Sequence, residues 1–256
     1  TSDVTATGVR IFKSYPSFAK LDLTTSEKLL QNKSGATLYK FKVTANGGDV
    51  YVFKFTLTIG SSTESATSTT YGLYAFTDSG YSLADSTFDT AGLLNDSNYI
   101  GTNGVFCGAA SYTAGACHQP NTIEVYMSQT AAATTTYKIP SGESRWFEFR
   151  GNVSTVNRDG GTGPESITVQ LDGDAAFQDD DSAAGVAGRN LMNRAGTFTT
   201  GANATGVQLD SNNDFIWSPN STTTSVSIND LDWANGYSLT GLPVTNMLSE
   251  TMTSSS

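Results

Sequence analysis

The carboxylates of this chain concentrate in LDGDAAFQDDDSAAG, residues 171–185, which carries Asp172, Asp174, Asp179, Asp180 and Asp181. Acidic side chains this closely spaced serve one of three chemistries: a general acid–base pair, a calcium cage, or a solvated loop. Calcium takes several oxygen ligands, and alternate residues of a D-x-D run can point into one loop. Asp172, Asp174, Asp179 and Asp181 are therefore candidate calcium ligands. The order D-G-D-A-A-F-Q-D-D-D nevertheless departs from EF-hand spacing, and its glycine is out of place. A catalytic acid needs an apolar setting that raises its pKa, whereas Asp179, Asp180 and Asp181 are consecutive and flanked by Gln and Ser. The stretch reads first as a solvated acidic loop, with calcium as the alternative and catalysis last. A looser acidic set is Asp210, Asp214, Asp230 and Asp232.

Other chemistries fail on inventory. A Ser-His-Asp or Cys-His site needs an imidazole, and the chain has only His118, next to Cys117. Zinc catalysis draws on several His or Cys ligands and fails on the same count. Glycoside hydrolysis needs two carboxylates, and Glu148 in WFEFR is the best placed. Its simpler reading is a solvent-facing partner for Lys or Arg, so the expectation is that the chain is not an enzyme. Trp146, Trp217 and Trp233 would make a sugar-stacking platform if exposed together, but one Trp per strand is more often core packing.

Cys107 and Cys117 enclose CGAASYTAGAC, small and flexible enough to bring them within bridging range, so a disulfide is expected. Five Asn-X-Ser/Thr sequons, at Asn32, Asn95, Asn152, Asn203 and Asn220, are candidate glycosylation sites. Charged residues are 15% of the chain, against roughly 25% in a typical soluble protein, while Ser and Thr together number 67. A surface of hydroxyls suits a secreted protein better than a cytosolic enzyme. The net charge of −10, with no dense basic cluster, argues against nucleic acid as a partner. No stretch approaches the roughly 18 apolar residues of a transmembrane helix. The opening TSDVTATG does not resemble a signal peptide, so the signal of an exported chain is expected to have been removed.

Such groups must be positioned by strands. In LYKFKVTA (38–45) and DVYVFKFTLTIG (49–60) apolar residues alternate, with Tyr51, Phe53, Phe55, Leu57 and Ile59 expected on one face. The intervening Asn46-Gly47-Gly48 reads as the turn of a β-hairpin. Further strands are expected at 8–16, 69–77, 122–128, 144–154, 165–172 and 213–220. No window shows a convincing helical period, so the fold class is all-β, an antiparallel β-sandwich with long loop insertions. The connections 60–68, 78–104, 128–136 and 178–206 are long, with an insertion expected at about 78–121. Residues 246–256 read as a polar tail or linker.

VRIFKSYPSFAKLDL, LYKFKVTANGGDVYVFKFTLTI, YKIPSGESRWFEFRGNVS, NDFIWSPNS and DLDWANGYSLTGLP follow one another in an order that resembles a known family. It is the immunoglobulin-like domain of large secreted surface proteins of candidate-phyla-radiation bacteria. The likeness runs from about residue 8 to 243. Its distinctive part is Phe215, Trp217, Asp232, Trp233, Asn235, Gly236, Tyr237, Gly241, Leu242 and Pro243. The resemblance implies one domain over 1–245, an immunoglobulin-like sandwich, and an extracellular, cell-surface location. It also implies a structural or adhesive role, with no catalytic residues to transfer. The expected function is a subunit that self-assembles into a surface layer, sheath or filament; the alternative is a glycan-binding or adhesive module. Val9, Ile11 and Phe12 are candidate assembly residues if the N-terminal strand adds to a neighbour's sheet. That strand can equally complete its own domain, with copies meeting through the faces of the sandwich.

Overall fold

Among the described residues the runs of period two become strands that pair antiparallel, with one isolated parallel bridge between Leu29 and Thr253. The computed structural model describes residues 11–61, 66–95, 105–107, 121–127, 136–154, 156, 164–176, 214–220 and 233–255. Within them lie β1 (Tyr15–Leu21), β2 (Lys33–Asn46), β3 (Val50–Ser61), β4 (Thr67–Phe76), β5 (Val105–Cys107) and β6 (Asn121–Tyr126). The chain continues through β7 (Tyr137–Ile139), β8 (Ser144–Ser154), β9 (Ser166–Leu171), β10 (Ile216–Ser218), β11 (Ala234–Asn235) and β12 (Glu250–Thr253). One sheet has the order β1-β2-β8-β4-β5. The other has the order β11-β10-β3-β9-β12, with β6 and β7 also paired to β3.

The two sheets pack face to face as a sandwich on an aromatic core. Phe41 of β2 stacks on Phe147 of β8 at 4.9 Å, and Phe55 of β3 meets Phe41 edge-on at 5.1 Å from the opposite sheet. Phe215 stacks on Phe55 at 5.1 Å and takes the edge of Phe18 at 5.0 Å. These offset and edge-to-face arrangements are the ones the ring quadrupole favours.

The expected hairpin between β2 and β3 is not formed. β2 pairs with β1 and β8, whereas β3 belongs to the other sheet, so Asn46–Gly48 carries the chain across the sandwich. Both strands have a strongly aromatic face. Crossing over lets Phe41 and Phe55 bury each other, where a hairpin would set them side by side on one layer. Gly47, at φ 78°, makes the bend, and a Cβ there would lie 3.0 Å from the Lys13 carbonyl oxygen.

The single apolar face expected along β3 is also broken. Ile216 pairs with Lys54 and the next residue, Trp217, with Val52, which leaves Phe53 as the extra residue of a β-bulge. Val50, Val52, Phe55, Leu57 and Ile59 join the main core. Phe53 packs instead on Tyr126 at 5.6 Å and Trp233 at 5.9 Å.

Of the strand expected over 8–16, residues 8–10 lie outside the described residues and 11–14 are not strand; β1 runs further along, over Tyr15–Leu21. Its neighbour Phe12 packs on the ring of Trp217 at 5.1 Å. Residues 246–256 are not simply a tail, because Glu250–Thr253 pairs in register with β9 from Val169 to Ser166. Alternation explains the difference: Met252 turns into the core while Thr251 and Thr253 stay outside. The segment after β4 returns to that strand through bridges of Ala84 to Phe76 and Leu93 to Tyr74. It brings Asp85 against Arg145 Nε at 2.6 Å and the Tyr137 hydroxyl at 2.7 Å.

Candidate functional site

Beyond the bulge, Lys54, Thr56 and Thr58 alternate with the core residues of β3, and so stand on the outer face of the seven-stranded sheet. β6 runs alongside with Glu124 opposite Thr56, and the Lys54 ammonium reaches Glu124 Oε1 at 2.6 Å. On the other side β9 ends at Leu171, and Asp172 takes a hydrogen bond from the Thr58 hydroxyl at 2.6 Å. Asp172 Oδ1 and the Thr56 hydroxyl have no hydrogen-bond partner among the described residues.

Two residues on, Asp174 is fully buried and acts as a clamp. Its Oδ1 accepts the Asp214 N–H at 2.6 Å, and its Oδ2 accepts those of Gly236 at 2.5 Å and Phe215 at 3.3 Å. One carboxylate thus joins the entry to β10 and the exit from β11. The glycine between the two aspartates has a packing reason: a Cβ on Gly173 would stand 2.0 Å from the Pro243 carbonyl oxygen. Its N–H is bonded to the Thr245 carbonyl at 2.8 Å. Gly236 is equally confined, with 2.7 Å between a Cβ there and Asp174 Oδ2.

Burial dominates the electrostatics. It pushes the carboxyls of Asp172 and Asp174 up to about 6, against the opposing hydrogen bond from Thr58 in one and the three N–H donors in the other. Asp214 is pushed up to about 8 by burial, partly offset by Lys54 and reinforced by the negative charge of Asp174, Asp172 and Glu124.

The solvated-loop expectation therefore fails for Asp172 and Asp174, both buried. At Asp174 both oxygens accept backbone N–H donors, while Asp172 Oδ1 has no hydrogen-bond partner among the described residues. Among the described residues no group of three or more His, Cys, Asp or Glu is placed to hold a metal ion. Asp179 and Asp181 lie outside the described residues. Of the looser acidic set the structure brings in Asp214. Lys54 and Glu124 escaped sequence reasoning, although a lone charge inside VFKFT and another inside IEVYM were visible signals.

Elsewhere the candidates separate. Glu148 is buried rather than solvent-facing, because Arg150 Nε at 2.9 Å and the Thr37 hydroxyl at 2.5 Å take its oxygens. Trp217 and Trp233 are fully buried on one sheet, while Trp146 is partly exposed on the other, so the three form no shared platform. Asn95 is buried, accepting the Leu73 N–H at 2.7 Å, which closes that sequon to a sugar in the folded chain. Asn32 is exposed, Asn152 and Asn220 are partly so, and Asn203 lies outside the described residues. Cys107 ends β5; Cys117 lies outside the described residues, as does Val9. Ile11 is 89% exposed and Phe12 half-buried. Among the described residues no helix is long and apolar enough to cross a membrane.

Comparison of the chain with protein-family models, with curated proteins and with solved structures finds no match.

Proposed function

We propose that this chain is an extracellular structural module that assembles with copies of itself into a surface layer, sheath or filament, as its resemblance to immunoglobulin-like surface domains suggests. The observation that carries the reading is the way β1 and β12 are locked together. β1 and β12 lie at edges of different sheets, and the buried Glu250 of β12 takes Lys20 of β1 on one oxygen and Lys28 at 3.2 Å on the other. The Thr253 N–H and carbonyl bond to Lys28 and Leu30, each at close to 3 Å (2.9 and 3.0 Å), and the Phe18 N–H bonds to Thr240 at 2.8 Å. A module that transmits force between neighbours needs its end strands braced in this way.

The same bracing decides how copies meet. The outer edge of β1 carries Pro16, which has no N–H, and at Phe18 it is covered by Gly241, where a Cβ would come within 1.9 Å of the Phe18 carbonyl oxygen. Copies therefore meet through faces or ends of the sandwich, and Ile11, Val244 and Leu248 are the exposed apolar residues to examine first. The Cys107–Cys117 disulfide and sugars at Asn32, Asn152 and Asn220 belong to the same extracellular reading.

Sedimentation and negative-stain imaging of native material test it. Particles many times the mass of one chain are expected, and Leu248→Asp should shrink them. A monodisperse monomer that binds a glycan on an array would replace this reading with an adhesive one.

A further inference from the structure

The outer face of the five-stranded sheet carries charges shielded from water. Lys40, Glu148 and Phe76 are buried there, and Phe76 stands outside the main core. Register explains their grouping: Lys40 and Tyr74 lie opposite Glu148 of β8, and Lys42 and Phe76 opposite Trp146. Residues two apart on a strand share a face, so the rows Lys42-Trp146-Phe76 and Lys40-Glu148-Tyr74 lie side by side on it. Tyr81 lies across both rows, edge-on to the Phe76 ring at 5.3 Å and with its own ring 4.6 Å from the Lys40 ammonium. Glu27 closes the other side of Lys40 at 2.5 Å.

Tyr81 belongs to the turn 77–83, which is bonded only to itself. The Thr77 N–H donates to the Leu83 carbonyl at 2.9 Å, and the Asp78 carboxylate accepts the N–H groups of Gly80, Ser82 and Leu83. No hydrogen bond leaves this segment for the rest of the chain. Its closed position carries two costs. Tyr81 is held in the left-handed region at φ 56°, which a bulky side chain rarely adopts. The Tyr81 hydroxyl is buried with no hydrogen-bond partner, a desolvated group that water would satisfy.

We infer that residues 77–83 form a flap that swings about its neck, lifting Tyr81 and gating an aromatic, cationic face of the sheet. Lifting gives the hydroxyl water and frees the backbone of its left-handed conformation. It uncovers the Phe76 ring and the Lys40 ammonium, next to Trp146, which is already partly exposed. The neck stays fixed, since Ala84 bridges Phe76 and the Asp85 N–H bonds to the Ala75 carbonyl at 2.9 Å.

Acetylation of the full chain, followed lysine by lysine by mass spectrometry, tests the flap. Lys42, partly exposed two residues along β2, sets the rate of an open amine, and Lys54, buried on the other sheet, stays unlabelled while the chain is folded. Lys40 is expected to label more slowly than Lys42 and faster than Lys54. Tyr81→Phe, which removes the unsatisfied hydroxyl and keeps the ring, should slow Lys40 roughly fivefold or more. Tyr81→Gly, which gives up the ring, should bring Lys40 close to the rate of Lys42. Labelling of Lys40 in Tyr81→Phe at the wild-type rate or faster would overturn the flap, as would full protection of Lys40 in folded Tyr81→Gly.

Discussion

At Gly173 the space for a side chain is absent, since a Cβ there lies 2.0 Å from a backbone oxygen that cannot swing away. Gly173→Ala should therefore cost at least 1–3 kcal/mol in urea unfolding, as overpacking against fixed backbone does. The pairing of Asp172 with Asp174 is visible in D-G-D, but their burial is not. The N–H donors that hold Asp174 arrive from 40 and 62 residues away, beyond any local pattern. Asp85 works in the opposite direction: burial favours its neutral form, but Thr87, Tyr137 and Arg145 outweigh this and hold its carboxyl below the usual range. Its stabilising contribution is present above about pH 4 and lost as pH falls through the depressed value. The raised carboxyls of Asp172, Asp174 and Asp214 contribute fully below about pH 4, and lose that contribution as pH rises through about 6 and then about 8. Tm should accordingly peak at about pH 4 and decline on both sides. Asp85→Ala leaves buried Arg145 to the half-exposed Glu143 and takes the acceptor from the Tyr137 hydroxyl, and should cost about 2–3 kcal/mol at neutral pH.

Strands themselves were readable because an alternating face is a property of neighbours in sequence. SRWFEFRGNVS matches β8 end to end, and 165–172 encloses β9. Sheet membership was not readable, since period two tells which residues share a face and nothing about which strand lies beside them. The arch between β2 and β3 and the bulge at Phe53 both follow from packing across the sandwich, which only the assembled sheets define. The bulge gives Phe53 a role separate from the main core, bridging Tyr126 and Trp233. Phe53→Ala should destabilise by about 3 kcal/mol. It should also raise the exposure of Trp233, measured by acrylamide quenching, while the Phe41–Phe147 stack stays intact.

Across the whole molecule, β1 and β12, far apart in sequence, each form an edge of one sheet. Glu250→Ala removes the acceptor shared by Lys20 and Lys28. Hydrogen exchange should then quicken roughly tenfold or more in β12 and β1, with β8 and β9 protected as before. The order of the strands also bears on how the chain reaches this state. β3 begins at residue 50, yet it waits for partners at 121–126, 137–139, 166–171 and 216–218, and β9 receives β12 only from 250–253. Such distant pairing places the fold among the slow folders, on the millisecond-to-second scale. Until the last strand arrives, β9 exposes a bare edge able to recruit another chain. Synthesis interrupted before Glu250 would leave that edge permanently open, making truncated copies the ones most prone to aggregate.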